Sequence, residues 1–158
     1  PTIDGEEEKV EREPQKLLGR VVGTAIVAAD FPVSATTTRV PVLHGHLVDV
    51  GVRLAGDPDP AQVREALLSG PTPDAEELPT LAGAGIRIAD GAMRPQPRLD
   101  RDVADGMAIT VGRLRRCPVF GTRFMALAHN LERGAAGAAV GNAELALRRG
   151  RVPGVRPR

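Results

Sequence analysis

Polar and apolar positions divide the chain into short segments, each with its own period. Residues 4–18 (DGEEEKVEREPQKLL) read as a charged helix. Asp4 is its candidate N-cap, and Glu6, Glu7 and Glu8 fill the first turn, where the helix dipole favours acids. Pro14 is expected to end or kink it, because proline lacks the N–H and clashes one turn back. IVAAD (26–30) predicts a short strand that Phe31-Pro32 breaks. The strongest β signal follows. SATTTRVPVL (34–43) is rich in β-branched residues, and HLVDVGVRL (46–54) alternates apolar with polar. His44-Gly45 between them predicts a tight turn or bulge.

Residues 59–69 (DPAQVREALLS) predict an amphipathic helix with Pro60 at its first position, Val63, Leu67 and Leu68 on one face, and Gly70 as its stop. GPTPDAEELPTLAGA (70–84) predicts a surface loop, and IRIAD (86–90) a short strand. Two prolines make MRPQPRLD (93–100) irregular. Residues 107–115 (MAITVGRLR) and 119–128 (VFGTRFMALA) predict strands joined through Cys117-Pro118, and 131–148 (LERGAAGAAVGNAELALR) the last helix. Strands cluster rather than alternate with helices. That order predicts an α+β fold, a mixed and largely antiparallel sheet with helices packed on one face.

Composition narrows the class. A length of 158 residues is enough for one domain with a real core. Aromatic residues make up 2%, all Phe, so the core must rest on Val, Leu, Ile and Ala. Formal net charge is +1, which lacks the basic footprint of a nucleic-acid binder. No apolar run is long enough to span a bilayer, so no membrane partner is expected. Arg148, Arg149, Arg151, Arg156 and Arg158 have no aromatic companions and read as a solvated end. Residues 1–150 are therefore expected to form the domain and 151–158 a basic tail. The single cysteine, Cys117, excludes an internal disulfide framework, and with no signal-peptide pattern a cytoplasmic setting is expected. Pro1 in place of Met is how a chain cut from a longer one looks; a processed N-terminus is the alternative.

Three stretches carry candidate chemistry, each with a plainer alternative. In RVPVLHGH (39–46), Arg39 on a strand suits a carboxylate, since its planar fork donates two parallel bonds; a surface ion pair is the commoner use. His46 follows a glycine and titrates near neutral pH, as a general acid/base should, yet a single His is often structural. His44 and His46, two apart, would share a strand face, and only His129 is left to complete a metal site, so no metal is expected. Glu6 and Lys9 lie three apart and share a helix face, which a solvated helix also explains. HNLERGAAGAA (129–139) opens a helix with small residues that permit close approach of a ligand or of the sheet. It is not a GxGxxG loop after a first strand. Arg115 and Arg116 beside Cys117 favour a thiolate, but no His or glycine-rich context marks it as a nucleophile.

Five segments in order, EEEKVEREPQKLLG, RVPVLHGH, RPQPRLD, GMAITVGRLR and HNLERGAAGAAVGNAELAL, together resemble the C-terminal dimerisation domain of aspartate-semialdehyde dehydrogenases, most like the archaeal and fungal branch. The resemblance covers roughly residues 1–148. It implies the fold of a glyceraldehyde-3-phosphate dehydrogenase-like C-terminal domain and self-association as a homodimer or homotetramer. It also implies the reversible reductive dephosphorylation of aspartyl phosphate to aspartate semialdehyde, within lysine, threonine and methionine biosynthesis. A cysteine thiolate attacks the acyl phosphate, and NADPH reduces the thioester. The resemblance places Glu6 at the substrate amino group, Lys9 at phosphate, Arg39 at the α-carboxylate and His46 as general acid/base. It puts Asn130 and Gly134 near the nicotinamide end of NADP. Nucleophile and NADP-binding half are expected upstream, so the chain alone is expected to be inactive. Leu47-Val48 and Thr37-Thr38 depart from the branch pattern and leave malonyl-CoA or acyl-CoA reduction as the alternative substrate class. A non-catalytic dimerisation domain is the alternative of another kind.

Overall fold

Helix α1 (Glu6–Leu17) starts from Gly5, whose φ of 70° is left-handed, so the cap falls on the glycine rather than on Asp4. Pro14 does not end it. The turn after the proline is closed by Leu18 N–H to Pro14 O (2.9 Å), and the Gln15 carbonyl takes the Ala29 N–H (2.8 Å). One local and one tertiary bond thus satisfy carbonyls at the end of the helix. This is a computed structural model, and it describes residues 3–69 and 77–154. Contacts group the chain into two units, Pro1–Pro41 and Val42–Arg158.

In the first unit, β1 (Arg20–Val22) and β2 (Ala25–Val27) form an antiparallel hairpin across Gly23-Thr24. The expected strand at 26–30 thus ends at Val27, and β1 was not foreseen. The expected strand at 34–43 is absent. Up to residue 40 the chain alternates like an extended segment, with 31, 33, 35 and 37 half-buried and 32, 34, 36 and 38 exposed, and bends follow at 41 and 43. Its amides pair with a helix instead of a strand: Thr37 N–H donates to Glu7 Oε1 (2.7 Å) and Ala35 N–H to Glu11 Oε1 (2.8 Å).

The second unit is built on a four-stranded sheet of β3 (His46–Val52), β4 (Ile86–Ile88), β5 (Ile109–Cys117) and β6 (Gly121–Ala128), in the order β3-β6-β5-β4. Only β4–β5 is parallel, so the sheet is mixed and largely antiparallel, as the element order predicts. A bulge sets Arg113 and Leu114 against Phe124 alone, with Arg113 at φ 54°. Helix α2 (Pro60–Leu68) packs on β4 and β5 through the buried Val63. It begins where the sequence indicates: Asp59 and Gln62 form a reciprocal capping box, with Pro60 in the first turn. Its expected stop, Gly70, lies outside the described residues, as does the loop as far as 76. From 77 the predicted loop holds a short 3-10 turn (Pro79–Leu81) and the buried Leu78 and Ala84.

The stretch 93–100 is less irregular than two prolines suggest. Pro97 opens a four-residue helix, α3 (Pro97–Asp100), where the missing N–H costs nothing. Its Asp100, 1% exposed, accepts from Arg94 Nε (2.7 Å), from Arg94 Nη2 and from the Gln96 amide (2.7 Å). The last helix begins as a π-helical turn (Glu132–Ala136) and continues as α4 (Gly137–Arg148). Val111 and Leu127 are buried in the sheet, flanked by Met107 and Ala108.

Candidate active site

Backbone pairing brings the two chain segments of the site together. In the β3–β6 register His46 stands opposite Ala128, so the end of β6 delivers His129 and Asn130 beside the start of β3. Asn130 Oδ1 accepts the Gly45 N–H at 2.8 Å. Gly45 has φ 117°, and a Cβ there would meet Leu127 Cδ1 at 3.2 Å and Pro97 Cβ at 3.4 Å. The conformation favours glycine, and a Cβ would be a tight fit besides. His46 itself is exposed.

His44 does not share a strand face with His46. It precedes β3, and its ring stacks on that of His129 with centroids 5.2 Å apart and planes at 27°. His129 is 7% exposed, and its Nδ1 accepts the amides of Leu131 and Glu132, both at 3.2 Å. The Gly134 N–H donates to His129 O at 3.0 Å, the five-residue spacing of a π-helical turn. Gly134 is exposed, and a Cβ on it would meet only His129 O, at 3.5 Å. Packing within the chain therefore does not require glycine here. Among the described residues no group of three or more His, Cys, Asp or Glu is arranged to hold a metal ion.

Thus His46, Asn130 and Gly134 come together in the second unit. The remaining predicted residues belong to the first. Glu6 opens α1 and is half-buried, and Lys9 follows three residues on, exposed. Arg39 is exposed on the extended segment, two residues after the Thr37 amide that Glu7 holds, and not on a β-strand. His129 entered the sequence reading only as a spare metal ligand. Its place next to Asn130, in the stretch that starts the last helix, is the signal that would have singled it out.

Cys117 lies at the other end of the sheet, paired with Gly121. The amides of Phe120 and Val119 donate to its sulfur and hold its pKa below the usual thiol value; burial opposes this, and Arg123 and Arg115 assist. From Gly121 to Ala128, at roughly 3.3 Å per residue, β6 separates it from the His46 end by about 23 Å. A depression of about 760 Å³, lined by Arg53, Asp57, Arg116 and Cys117 among others, lies at this far end.

A family model for the semialdehyde dehydrogenase dimerisation domain matches residues 1–133. The chain belongs to that family. The aspartate-semialdehyde dehydrogenase of Archaeoglobus fulgidus is 45% identical over 148 residues, 94% of this chain and 42% of the relative. That of Schizosaccharomyces pombe is 42% identical over 95% of this chain and 44% of its own length. Among solved structures, the Candida albicans aspartate semialdehyde dehydrogenase with NADP superposes with a TM-score of 0.83 at 33% identity, over 96% of this chain and 45% of that one. The dimerisation domain thus spans less than half the length of these relatives, the same share in sequence and in structure. Among its described residues no helix is long and apolar enough to cross a membrane.

Proposed function

We propose that the chain is the substrate-handling domain of an NADP-dependent aspartate-semialdehyde dehydrogenase, working within a longer protein that supplies the nucleophilic thiol and the dinucleotide-binding fold. The observation that carries this reading is the Asn130–Gly45 hydrogen bond. It ties an exposed imidazole at a strand head to the residue expected beside nicotinamide. In this reading Arg39 binds the substrate α-carboxylate through both arms of its guanidinium, Glu6 its amino group, and Lys9 the phosphate. His46 takes and returns a proton during the NADP-dependent oxidative phosphorylation of aspartate semialdehyde and its reverse. The site fits a nicotinamide ring, because the surface over Gly134 is open and its own chain has no need of the missing Cβ. NADP supplies the hydride chemistry when bound, mainly to the rest of the longer protein; here Asn130 and Gly134 orient its nicotinamide end.

Residues 1–150 form this domain in our reading, 151–158 a basic tail, and the cytoplasm is its setting. Exposed Leu47 and Val48 on β3 support self-association into a homodimer or homotetramer. Sedimentation showing only monomer would remove that part.

The test is made in the longer enzyme. His46→Asn is expected to lower kcat by about 10²–10⁴-fold with a small change in KM. Arg39→Lys is expected to raise KM for aspartate semialdehyde strongly, because a point charge replaces a fork. Wild-type behaviour of both variants would refute the assignment. Turnover by residues 1–158 alone, with aspartate semialdehyde, NADP and phosphate, would refute the division of labour. Preference for malonyl-CoA over aspartyl phosphate would overturn the substrate.

A further inference from the structure

His129 is buried, precedes Asn130 and contacts His44, Leu131, Glu132 and Gly134, without belonging to the set assigned above. Its Nδ1 accepts the Leu131 and Glu132 amides, which places the ring hydrogen on Nε2, the nitrogen 4.0 Å from Asp102 Oδ1. Those two amides lie at the entry to the π-helical turn, where no preceding turn supplies acceptors. The ring thereby fixes the backbone that follows Asn130. One of its faces stacks on His44, the residue before the Gly45 that Asn130 holds. Gly106, at φ 80°, is packed so closely that a Cβ would lie 3.3 Å from His129 Cγ and 2.9 Å from Glu132 Cβ. The ring has little room to move.

We infer that His129 is a positioning residue for the reaction, setting Asn130 through its Nδ1 and the His44-Gly45-His46 segment through its ring. A buried imidazole whose Nδ1 takes two amides and whose face stacks on His44 restrains these groups, and transition-state geometry tolerates little displacement of them. The inference rests on the roles proposed for His46 and Asn130.

Two substitutions separate its functions. His129→Phe keeps a flat ring against His44 and removes the acceptor. His129→Asn puts an oxygen near the Nδ1 position and removes the ring. In the longer enzyme, His129→Phe is expected to lower kcat by about tenfold to a hundredfold, with KM for aspartate semialdehyde nearly unchanged. Hydrogen exchange at Gly45, Leu131 and Glu132 should quicken in parallel. His129→Asn should restore slow exchange at Leu131 and Glu132 and recover most of the rate. Full activity in His129→Phe, while His46→Asn is impaired, would overturn the inference. So would equal losses in both His129 variants with exchange unchanged. Full activity in His46→Asn would instead show that the underlying reading of the site fails. Should His129→Phe not fold, the ¹⁵N-labelled wild-type protein decides. Couplings across the hydrogen bonds from the Leu131 and Glu132 amides to Nδ1 support the inference, and a protonated Nδ1 in the neutral ring overturns it.

Discussion

The carboxylate of Glu7 accepts the backbone N–H of Thr37, and one helical turn later Glu11 does the same for Ala35. The spacings match. Residues four apart on a helix rise about 6 Å, and residues two apart on an extended chain advance about 6.6 Å. Helix α1 thus serves as a template for the segment that leads to Arg39. Glu7→Ala should leave the Thr37 amide without its acceptor and cost about 1–3 kcal/mol, read from denaturant melts. Glu7→Gln keeps an acceptor and should cost clearly less. Equal losses would mean that charge rather than hydrogen bonding matters.

Asp100 is a buried anion of the second unit, held by Arg94 and the Gln96 amide. The Arg94 guanidinium holds its carboxyl below the usual range; burial opposes this, and the Gln96 amide and Arg87 assist. The folded chain then binds this proton more weakly than the unfolded chain does. Its stabilisation is complete above the unfolded value of about 4 and is lost as pH falls through the lower folded value. Asp100→Asn should lower the melting temperature by roughly 5 °C at neutral pH and flatten the acid limb of the stability curve. An unchanged acid limb would assign it to other carboxylates, Asp49 beside Arg123 first among them.

Gly112 lies under the Arg94–Pro95 crossing, where a Cβ would overlap the Arg94 carbonyl oxygen. The obstacle is backbone, so no rotamer can relieve it. Gly112→Ala should destabilise by roughly 3 kcal/mol, at the upper end of overpacking costs. Gly134→Ala, whose Cβ meets only His129 O, should leave the melting curve in place. A melting loss in Gly134→Ala would show a packing role there.

Cys117 has a lowered pKa yet sits at the sheet end away from His46. Cys117→Ala in the longer enzyme should therefore keep kcat and KM. A large loss of rate would show that the thiol at this end has a part in the reaction.

What the sequence revealed depended on where each segment's partners lie. Helix α2 was legible almost to the residue because its start signals are local: Asp59 and Gln62 bond to each other around Pro60 within one turn. Strand β3 was legible from its alternation. The β-branched run at 34–43 did mark extended backbone, but its amides found Glu7 and Glu11, and no local pattern distinguishes a helix carboxylate from a neighbouring strand as acceptor. Pro14 did not stop the helix at once: Leu18 closes one more turn on its carbonyl, and Ala29, outside the helix, takes the Gln15 carbonyl. The β1–β2 hairpin was missed although its signal was present: two apolar runs either side of Gly23-Thr24. At the site, the candidate residues came from the family resemblance. The Asn130–Gly45 bond was not, because its partners are 85 residues apart.

The π-helical turn has a consequence for how this region can vary. Its bonds from Gly134 to His129 and from Ala136 to Leu131 span five residues where an α-turn spans four. Beyond it, α4 packs Gly137 against Met107 and Gly141 against Leu81, each too closely for a Cβ. Removing one residue from 132–136 would rotate everything downstream by about 100°, carrying both glycines off their contacts. Drift in the identity of the exposed Ala135 and Ala136 is therefore cheap, whereas a single-codon deletion is not. Here the inherited constraint is a length.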